Sequence, residues 1–283
     1  MKSVVVTGVS TGIGRATAAL LCQQGFHVFG SVRKAADGEK LKADLGKSFT
    51  PLVFDVTDEA AVRAAAQGVR EALQGERLAG LVNNAGIAVG GPLTDVPIAE
   101  FRKQMDVNIT GPMIVTQAFL PLLGTDKTLK GAPGRIVNIS SVGGKMGAPF
   151  LGPYVASKHA LEGLSESLRR ELMFYGVDVI MIAPGHVATP IWDKAEEIDP
   201  KPYQHLDIFP AMQKFLEFFV AEGRRGFPPE RVAGVILEAL TAGKPKARYP
   251  VVPGHVQNWT IPRLLPVRVV DKIVAARLGL TPR

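Results

Sequence analysis

Short apolar runs alternate with helix-length segments along this chain of 283 residues. Each run is apolar on both faces and has the length of a strand, which is typical of a strand buried in a parallel sheet. The runs lie at 3–8, 26–32, 51–56, 80–86, 134–140, 177–185 and 248–252. Strands that alternate with helices form right-handed βαβ units. The pattern therefore predicts a doubly wound α/β fold with seven parallel strands and helices on both faces.

Only an insertion and a C-terminal tail depart from this alternation, which bears on the domain organisation. The chain contains no repeat, no low-complexity segment and no linker, so we expect a single domain over 1–283. An aromatic-rich insertion at 190–226 follows the sixth strand, and a tail at 253–283 follows the last one. We expect the insertion to form a helical lid over a substrate, and the tail to be a substrate or partner surface.

The composition is that of an ordinary globular protein, with 46% hydrophobic and 21% charged residues. The single cysteine, Cys22, cannot form an internal disulfide, and no His or Cys cluster has zinc-ligand spacing. The N-terminal apolar run is too short for a signal peptide, and no uncharged apolar run has the length of a membrane span. We therefore expect a cytoplasmic protein without a metal site.

The net charge of +7 comes from one part of the chain. The residues from Arg224 to the C-terminus carry +8, which leaves about −1 for the first 223 residues. Nucleic-acid-binding proteins concentrate Lys and Arg on a recognition element and have recognisable motifs, which this sequence lacks. We expect no nucleic-acid partner.

A glycine-rich turn, VVVTGVSTGIGRA, joins the first predicted strand to the first helix and contains Gly8, Gly12 and Gly14. Glycines let the backbone approach a pyrophosphate, whose charge is met by free N–H groups at the helix N-terminus. Residues 8–12 also fit the G-x-S-x-G nucleophile elbow of α/β-hydrolases, but that elbow normally follows several strands rather than the first. We favour a dinucleotide site.

The end of the second strand bears on the choice of dinucleotide. Enzymes that use NAD place an acidic residue there for the ribose 2′-hydroxyl, whereas this chain has Val32 and Arg33. An arginine can bind a 2′-phosphate through charge-assisted hydrogen bonds. We expect NADP(H) to be preferred, with NAD(H) possible.

Seven motifs occur in the order and at the approximate spacing of one family, and along nearly the whole chain the sequence resembles the short-chain dehydrogenase/reductases. The motifs are TGVSTGIG (7–14), DVTD (55–58), NNAG (83–86), DVNITG (106–111), NISS (138–141), YVASK (154–158) and APGHVAT (183–189). The resemblance implies a Rossmann fold, an NAD(P)-dependent oxidoreductase that interconverts an alcohol and its ketone or aldehyde, and commonly a homodimer or homotetramer.

The resemblance also implies which residues bind the cofactor. They include the glycine turn, the residues after the third and fourth strands, and the segment near the nicotinamide. With Arg33, Tyr154 and Lys158, the set is Gly8, Ser10, Thr11, Gly12, Ile13, Gly14, Asp55, Val56, Asn84, Ala85, Gly86, Pro184, Gly185, Val187 and Thr189.

Catalysis in the family uses a Ser, a Tyr and a Lys, with an Asn that supports the lysine. These roles fall to Ser141, Tyr154, Lys158 and Asn108, while Ser140 is expected to be structural. Tyr and Lys at i and i+4 are neighbours on one helix face. An ammonium and an oxidised nicotinamide favour the phenolate of a tyrosine whose ordinary pKa is about 10.

In the mechanism that these residue types allow, Tyr154 takes the alcohol proton during oxidation and returns it during ketone reduction. Ser141 hydrogen-bonds the substrate oxygen as charge develops on it. The family's lysine also holds the nicotinamide ribose, which assigns that role to Lys158. His159 and His186 lie next to these motifs without an assigned role, and we expect both to be incidental.

Aromatic residues are concentrated between 192 and 219, which holds six of the nineteen in the chain. In the position of the family's substrate lid, they predict an apolar pocket. Its expected residues, besides Ser141 and Tyr154, are Phe150, Leu151, Trp192, Phe215 and Phe219.

Residues 141–172 resemble the branch that contains 17β-hydroxysteroid and retinol dehydrogenases, which implies a bulky lipophilic alcohol or ketone. A 3-oxoacyl thioester reductase, a broad-specificity carbonyl reductase and a non-catalytic NADP-dependent sensor or scaffold remain alternatives. The tail mixes aliphatic residues with arginines and a lysine, a composition that can contact an anionic membrane surface. We favour instead a tail that caps the pocket or packs against another subunit.

Overall fold

A computed structural model of the chain describes residues 1–190, 192 and 200–281. Its centre is a parallel sheet of seven strands in the order β3-β2-β1-β4-β5-β6-β7. The strands are β1 Ser3–Val6, β2 His27–Val32, β3 Phe49–Val53, β4 Gly80–Asn83, β5 Arg135–Ile139, β6 Asp178–Pro184 and β7 Arg248–Val251. The doubly wound fold predicted from the alternation is confirmed.

Helices cover both faces of this sheet. Within the described residues, the α-helices whose bounds are defined are, in chain order, α1 Gly12–Gln23, α2 Ala35–Leu45, α3 Glu59–Ala72, α4 Ile98–Met105, α5 Gly111–Leu120, α6 Gly152–Leu172, α7 Phe209–Arg224, α8 Pro229–Thr241, α9 Ile261–Leu264 and α10 Val267–Leu278. The alternation of side chains along β1 explains how both faces are filled. Val4 and Val6 enter the core on one face, and Val5 enters the core on the other.

The topology places the predicted motifs at one edge of the sheet. β1 pairs with β2 on one side and with β4 on the other, so the strand order reverses direction at β1. In open α/β sheets, ligands bind beyond the carboxyl ends of the strands at this reversal. The glycine turn after β1 and the NNAG segment after β4 both lie there.

The third strand differs from its predicted bounds of 51–56. It runs over Phe49–Val53 at the edge of the sheet, where Pro51 is opposite Gly30. An edge strand tolerates a proline because one side of it makes no ladder hydrogen bonds. Phe54 and Val56 made the apolar run look longer, but they leave the sheet and are buried in the core beside it.

The lid and the tail pack against each other. Helix α7 of the insertion and helix α10 of the tail share a small core that contains Phe150, Met212, Phe215 and Leu278. The tail thus packs on helix α7, and none of its described residues lines the cavity described below. Part of the expected lid, residue 191 and residues 193–199, lies outside the described residues, as do residues 282–283 of the tail.

One helical stretch, Ile98–Thr125, has the length and composition of a membrane-spanning helix. It comprises α4, α5 and two π-helical turns, and 50% of its most apolar window is buried inside the fold. In α5, Val115 and Phe119 belong to the core on one face of the sheet. A core helix gives this same signature, so the stretch is weak evidence for a span.

Candidate active site

A cavity of about 1250 Å³ opens at the carboxyl ends of the strands. Its lining includes all seven residues predicted for the substrate pocket. It also includes every residue predicted for the cofactor except Gly14, which lies inside the first turn of α1. Asn108 does not line the cavity and is buried behind it. The structure therefore brings the two predicted sets together in one continuous space.

The glycine turn has a shape that only glycines allow. Gly8 has a φ of +69° and Gly12 a φ of +58°, in the left-handed region. A Cβ on Gly14 would lie 2.2 Å from the carbonyl oxygen of Gly8. Thr11 makes no capping side-chain hydrogen bond, so the first N–H groups of α1 are available to a ligand. These features fit a dinucleotide pyrophosphate.

Polar side chains that the sequence motifs did not assign hold this turn in place. The Oγ1 of Thr7 accepts hydrogen bonds from the backbone N–H groups of Asn84 and Ala85, each at 3.0 Å. Ser31, near the end of β2, accepts a 3.1 Å hydrogen bond from the N–H of Gly8. The only sign of these contacts in the sequence was a hydroxyl residue, Thr7, beside the glycine turn. The sequence alone does not show which groups such a hydroxyl contacts.

The cavity reaches the ends of β2 and β3. Arg33 follows β2 directly, is exposed and lines the cavity, with no carboxylate at that strand end. Asp55 lines the same region, and its Oδ1 accepts hydrogen bonds from the N–H of Thr57 at 3.0 Å and from its hydroxyl at 2.7 Å. Among the described residues, this region offers the exposed guanidinium of Arg33 and the carboxylate of Asp55, which Thr57 fixes.

Three of the four predicted catalytic residues meet in the cavity, and the fourth, Asn108, lies behind it. Ser141 lies just beyond β5, and Tyr154 and Lys158 lie in the first two turns of α6. The Nζ of Lys158 is 5.7 Å from the centre of the Tyr154 ring and donates a 2.8 Å hydrogen bond to the carbonyl oxygen of Ile139. Ser141 also lies beside Tyr154 and acts on its acidity as a hydrogen-bonding group.

Burial changes the acidity of this pair. It raises the pKa of Tyr154, and the hydrogen bond with Ser141 opposes the rise only in part. Burial lowers the pKa of Lys158 to about 8, against a favourable effect of the Glu162 carboxylate. The expected lowering of the Tyr154 pKa is therefore not produced by the protein's own groups, because burial disfavours the phenolate more than its neighbours stabilise it.

Asn108 lies in a π-helical turn, Asp106–Thr110, between α4 and α5. Its Nδ2 donates to the Oγ of Ser157 at 3.0 Å and to the carbonyl oxygen of Ile87 at 3.1 Å, and its Oδ1 accepts from the N–H of Ile87 at 2.9 Å. Ser157 directly precedes Lys158, so Asn108 holds the backbone of α6 beside the lysine. π-Helical turns are frequent at functional sites.

Residues after β6 close the cavity opposite the glycine turn. Pro184, Gly185, Val187 and Thr189 all line it, and the Thr189 methyl lies against Gly12. His186 also lines it, in an aromatic cluster with Trp192 at 5.9 Å and Phe219 at 5.4 Å between ring centres. Burial lowers its pKa, which favours the neutral imidazole.

The inner end of the cavity is apolar. Phe215 and Phe219 of α7 are stacked with ring centres 5.2 Å apart, and Phe150 lies 5.7 Å from Phe215. Phe150 has a φ of +62°, a conformation that is rare for an aromatic residue. Its carbonyl oxygen accepts a 2.8 Å hydrogen bond from the N–H of Gly91, which helps to fix this strained position.

Comparison with known proteins agrees with this arrangement. The short chain dehydrogenase family model matches residues 2–199. An NADPH-dependent 3-dehydrocapnine reductase of Ornithobacterium rhinotracheale is 43% identical over 96% of each chain. Mouse retinol dehydrogenase 5 is 34% identical over 96% of this chain and 87% of its own.

A solved structure shares the fold over almost the full length. A short-chain dehydrogenase from Streptomyces avermitilis superposes with a TM-score of 0.78 and 25% identity, covering 99% of this chain and 96% of the other. The resemblance inferred from the seven motifs is confirmed. The protein belongs to the short-chain dehydrogenase/reductase family and is an NAD(P)-dependent oxidoreductase that acts on alcohol or carbonyl groups.

Proposed function

We propose that the protein is an NADPH-dependent reductase of a bulky lipophilic ketone or aldehyde, with Ser141, Tyr154 and Lys158 as its catalytic residues. The observation that carries the proposal is the position of the Tyr154 hydroxyl. The side chain is half-buried beside Ser141, with the Lys158 ammonium 5.7 Å from the centre of its ring, between a glycine turn suited to a dinucleotide and an apolar pocket.

The acidity of Tyr154 suits the proton donor of a reduction. A tyrosine with a raised pKa keeps its proton at neutral pH and can donate it. The hydride would come from NADPH when it is bound in the cavity. Tyr154 donates its proton to the substrate oxygen, and the Lys158 ammonium stabilises the phenolate that results. The same groups catalyse the reverse reaction when alcohol is in excess.

Ser141 is placed to orient the carbonyl. Its Oγ accepts a 3.1 Å hydrogen bond from the N–H of Gly143, which leaves the hydroxyl proton for another acceptor. A donor beside the Tyr154 hydroxyl can bind the substrate oxygen and stabilise the charge that develops on it. Asn108 supports the site from behind by holding Ser157.

Three observations support a preference for NADPH. Arg33 lies at the end of β2, where a 2′-phosphate would be, and the strand end carries no carboxylate to bind a 2′-hydroxyl. The reductase from Ornithobacterium rhinotracheale is named as NADPH-dependent. We assign the pyrophosphate to the turn from Gly8 to Gly14 and the nicotinamide to the segment from Pro184 to Thr189.

The lipophilic substrate is inferred from the aromatic wall formed by Phe150, Trp192, Phe215 and Phe219. A pocket of this kind binds apolar surface and uses a few polar groups to orient the ligand. The resemblance to retinol dehydrogenase 5 agrees with it. A 3-oxoacyl thioester reductase and a broad-specificity carbonyl reductase are the alternatives within the family.

The remaining expectations belong to this proposal as well. We propose one catalytic domain over 1–283, with 190–226 as its lid and 253–283 as a tail that packs on the lid. We also propose a cytoplasmic homodimer or homotetramer, in keeping with the family. Sedimentation velocity would give the subunit number, and a monomer at micromolar concentration would contradict the assembly.

A graded panel of carbonyl compounds tests the function directly. Oxidation of NADPH at 340 nm would be followed with ketones of increasing apolar length and with an acetoacetyl thioester. We expect kcat/KM to rise with apolar length, and Phe219→Ala to reduce this gain. Leu93→Ala serves as the control, because Leu93 is exposed and does not line the cavity. A preference for the thioester would favour the alternative, and no turnover of any compound would favour a sensor or scaffold.

A further inference from the structure

A buried carboxylate lies one helical turn beyond the proposed catalytic lysine. Glu162 is on α6, four residues after Lys158, and is only 1% exposed. Acidic side chains are almost never this buried unless they are paired, because desolvation of the charge is costly. No motif assigned a role to Glu162, and it does not line the cavity.

The carboxylate of Glu162 joins three elements around the site. The hydroxyl of Ser140, at the end of β5, donates to it at 2.6 Å. Arg248, the first residue of β7, donates from Nε to both oxygens at 3.2 and 3.1 Å, and from Nη2 at 3.1 Å. The Nζ of Lys145 lies 3.7 Å away.

Arg248 extends this network to Ser141 and to the tail. Its Nη2 lies 3.5 Å from the carbonyl oxygen of Ser141, at the limit of a hydrogen bond. Its guanidinium stacks at 4.4 Å from the ring centre of Trp259, a tail residue that is 4% exposed. Aromatic stacking at this distance stabilises the guanidinium and shields it from water. The tail thereby covers part of the Arg248 guanidinium that holds Glu162.

We propose that Glu162 is a positioning residue for catalysis: held by Arg248, it fixes the strand end that carries Ser141 and supplies the negative charge that keeps Lys158 protonated. The proposal rests on the catalytic roles given above. The geometry supports both the fixing of the strand end and the effect of the charge on Lys158. Ser140 adjoins Ser141 in the chain, and residues at i and i+4 of a helix are neighbours on one face.

Charged groups surround Glu162, whose own negative charge raises the pKa of Lys158. Arg248 on β7 and Lys145 in the turn after β5 approach it as cations, and Glu166 on its own helix shares Lys145 at 3.8 Å. Burial lowers the pKa of Lys158, and the Glu162 carboxylate acts in the opposite direction. Neutralising Glu162 must therefore make the ammonium lose its proton at lower pH.

Glu162→Gln tests the charge. We expect the alkaline limb of kcat for ketone reduction by the full-length protein, at saturating NADPH, to move about one unit to lower pH. Glu166→Gln is the matched control, because it makes the same change one turn further along α6 at a half-exposed site. The control is expected to keep the limb of the parent protein. An unmoved limb in Glu162→Gln would overturn the proposal.

Glu162→Asp tests whether the carboxylate must reach both of its partners. It also tests the proposal if Glu162→Gln fails to fold. The aspartate keeps the charge, so the limb should stay in place, but it is too short to hold both Ser140 and Arg248. We expect kcat to fall about tenfold, because the catalytic groups would no longer be held in their proper orientation. An unchanged kcat would overturn the proposal. Tyr154→Phe separates the two levels of inference, since full activity in that variant would refute the catalytic assignment itself.

Discussion

The side chain of Asn84 holds the glycine turn closed by donating its amide to the carbonyl oxygen of Gly8 at 3.0 Å and to that of Thr7 at 2.9 Å. The contact links the end of β4 to the turn after β1, at the point where the strand order reverses. Asn84 also lines the cavity. Its position in the NNAG motif is therefore explained by the shape of the turn as well as by contact with a cofactor.

Asn84→Ala should loosen the turn. Two carbonyl groups lose their donor, so we expect the free energy of unfolding to fall by about 1–3 kcal/mol. The Kd for NADPH should rise about tenfold for the same reason. Urea unfolding and a fluorescence titration with NADPH measure the two quantities. Asn258→Ala is the control, because Asn258 donates to the carbonyl oxygen of Pro253 at an exposed site. Equal effects of the two substitutions would contradict the role of Asn84.

Gly14→Ala should abolish tight binding of NADPH. A Cβ there would lie 2.2 Å from the carbonyl oxygen of Gly8 and 2.5 Å from the Nδ2 of Asn84, so the turn must move. Gly68→Ala in α3 introduces the same methyl group where no atom lies within 4 Å. This control should stabilise the helix by up to about 1 kcal/mol. Calorimetric titration with NADPH compares the variants, and a normal Kd in Gly14→Ala would refute the close packing of the turn.

Arg33→Ala should change the choice of cofactor. If Arg33 binds the 2′-phosphate, kcat/KM with NADPH should fall roughly 10- to 100-fold, while kcat/KM with NADH changes little. Arg63→Ala removes an exposed arginine that pairs with Glu59 in α3 and does not line the cavity, and it should alter neither value. A parallel loss with both cofactors in Arg33→Ala would mean that the residue does not discriminate between them.

The pH dependence of reduction should follow Lys158. Its pKa is lowered to about 8, from an ordinary value of 10.5, mainly by burial. The ammonium is thus present at neutral pH and is lost as the pH rises through about 8. We expect kcat for ketone reduction to be level at neutral pH and to decline above about pH 8. A decline that begins only near the ordinary lysine value would contradict the burial of this group.

The seven strands could be read from the sequence because each is a continuous apolar run that a parallel sheet buries on both faces. The bounds of β3 could not be predicted, because Phe54 and Val56 are apolar residues that pack in the neighbouring core and do not belong to the strand. Local patterns report that a residue is buried, and they do not report against which element it packs.

In the candidate site, too, some features could be predicted from the sequence and others could not. The positions of Tyr154 and Lys158 follow from helical spacing, and the seven motifs pointed to the residues that line the cavity. The pair of Glu162 and Arg248 could not be found in this way, because 86 residues separate its members. Ser140 was expected to be structural, and its contact with the buried Glu162 carboxylate agrees with that role. The raised pKa of Tyr154 depends on burial, which motif spacing does not report.

Steady-state kinetics of Tyr154→Phe, with the Kd for NADPH measured in parallel, test whether the Tyr154 hydroxyl donates the proton. Phenylalanine keeps the ring and removes only the hydroxyl that would donate the proton. We predict a fall in kcat of about 10²- to 10⁴-fold for reduction of the best ketone of the panel, with the Kd for NADPH nearly unchanged. Turnover close to that of the parent protein, with NADPH bound normally, would contradict this prediction.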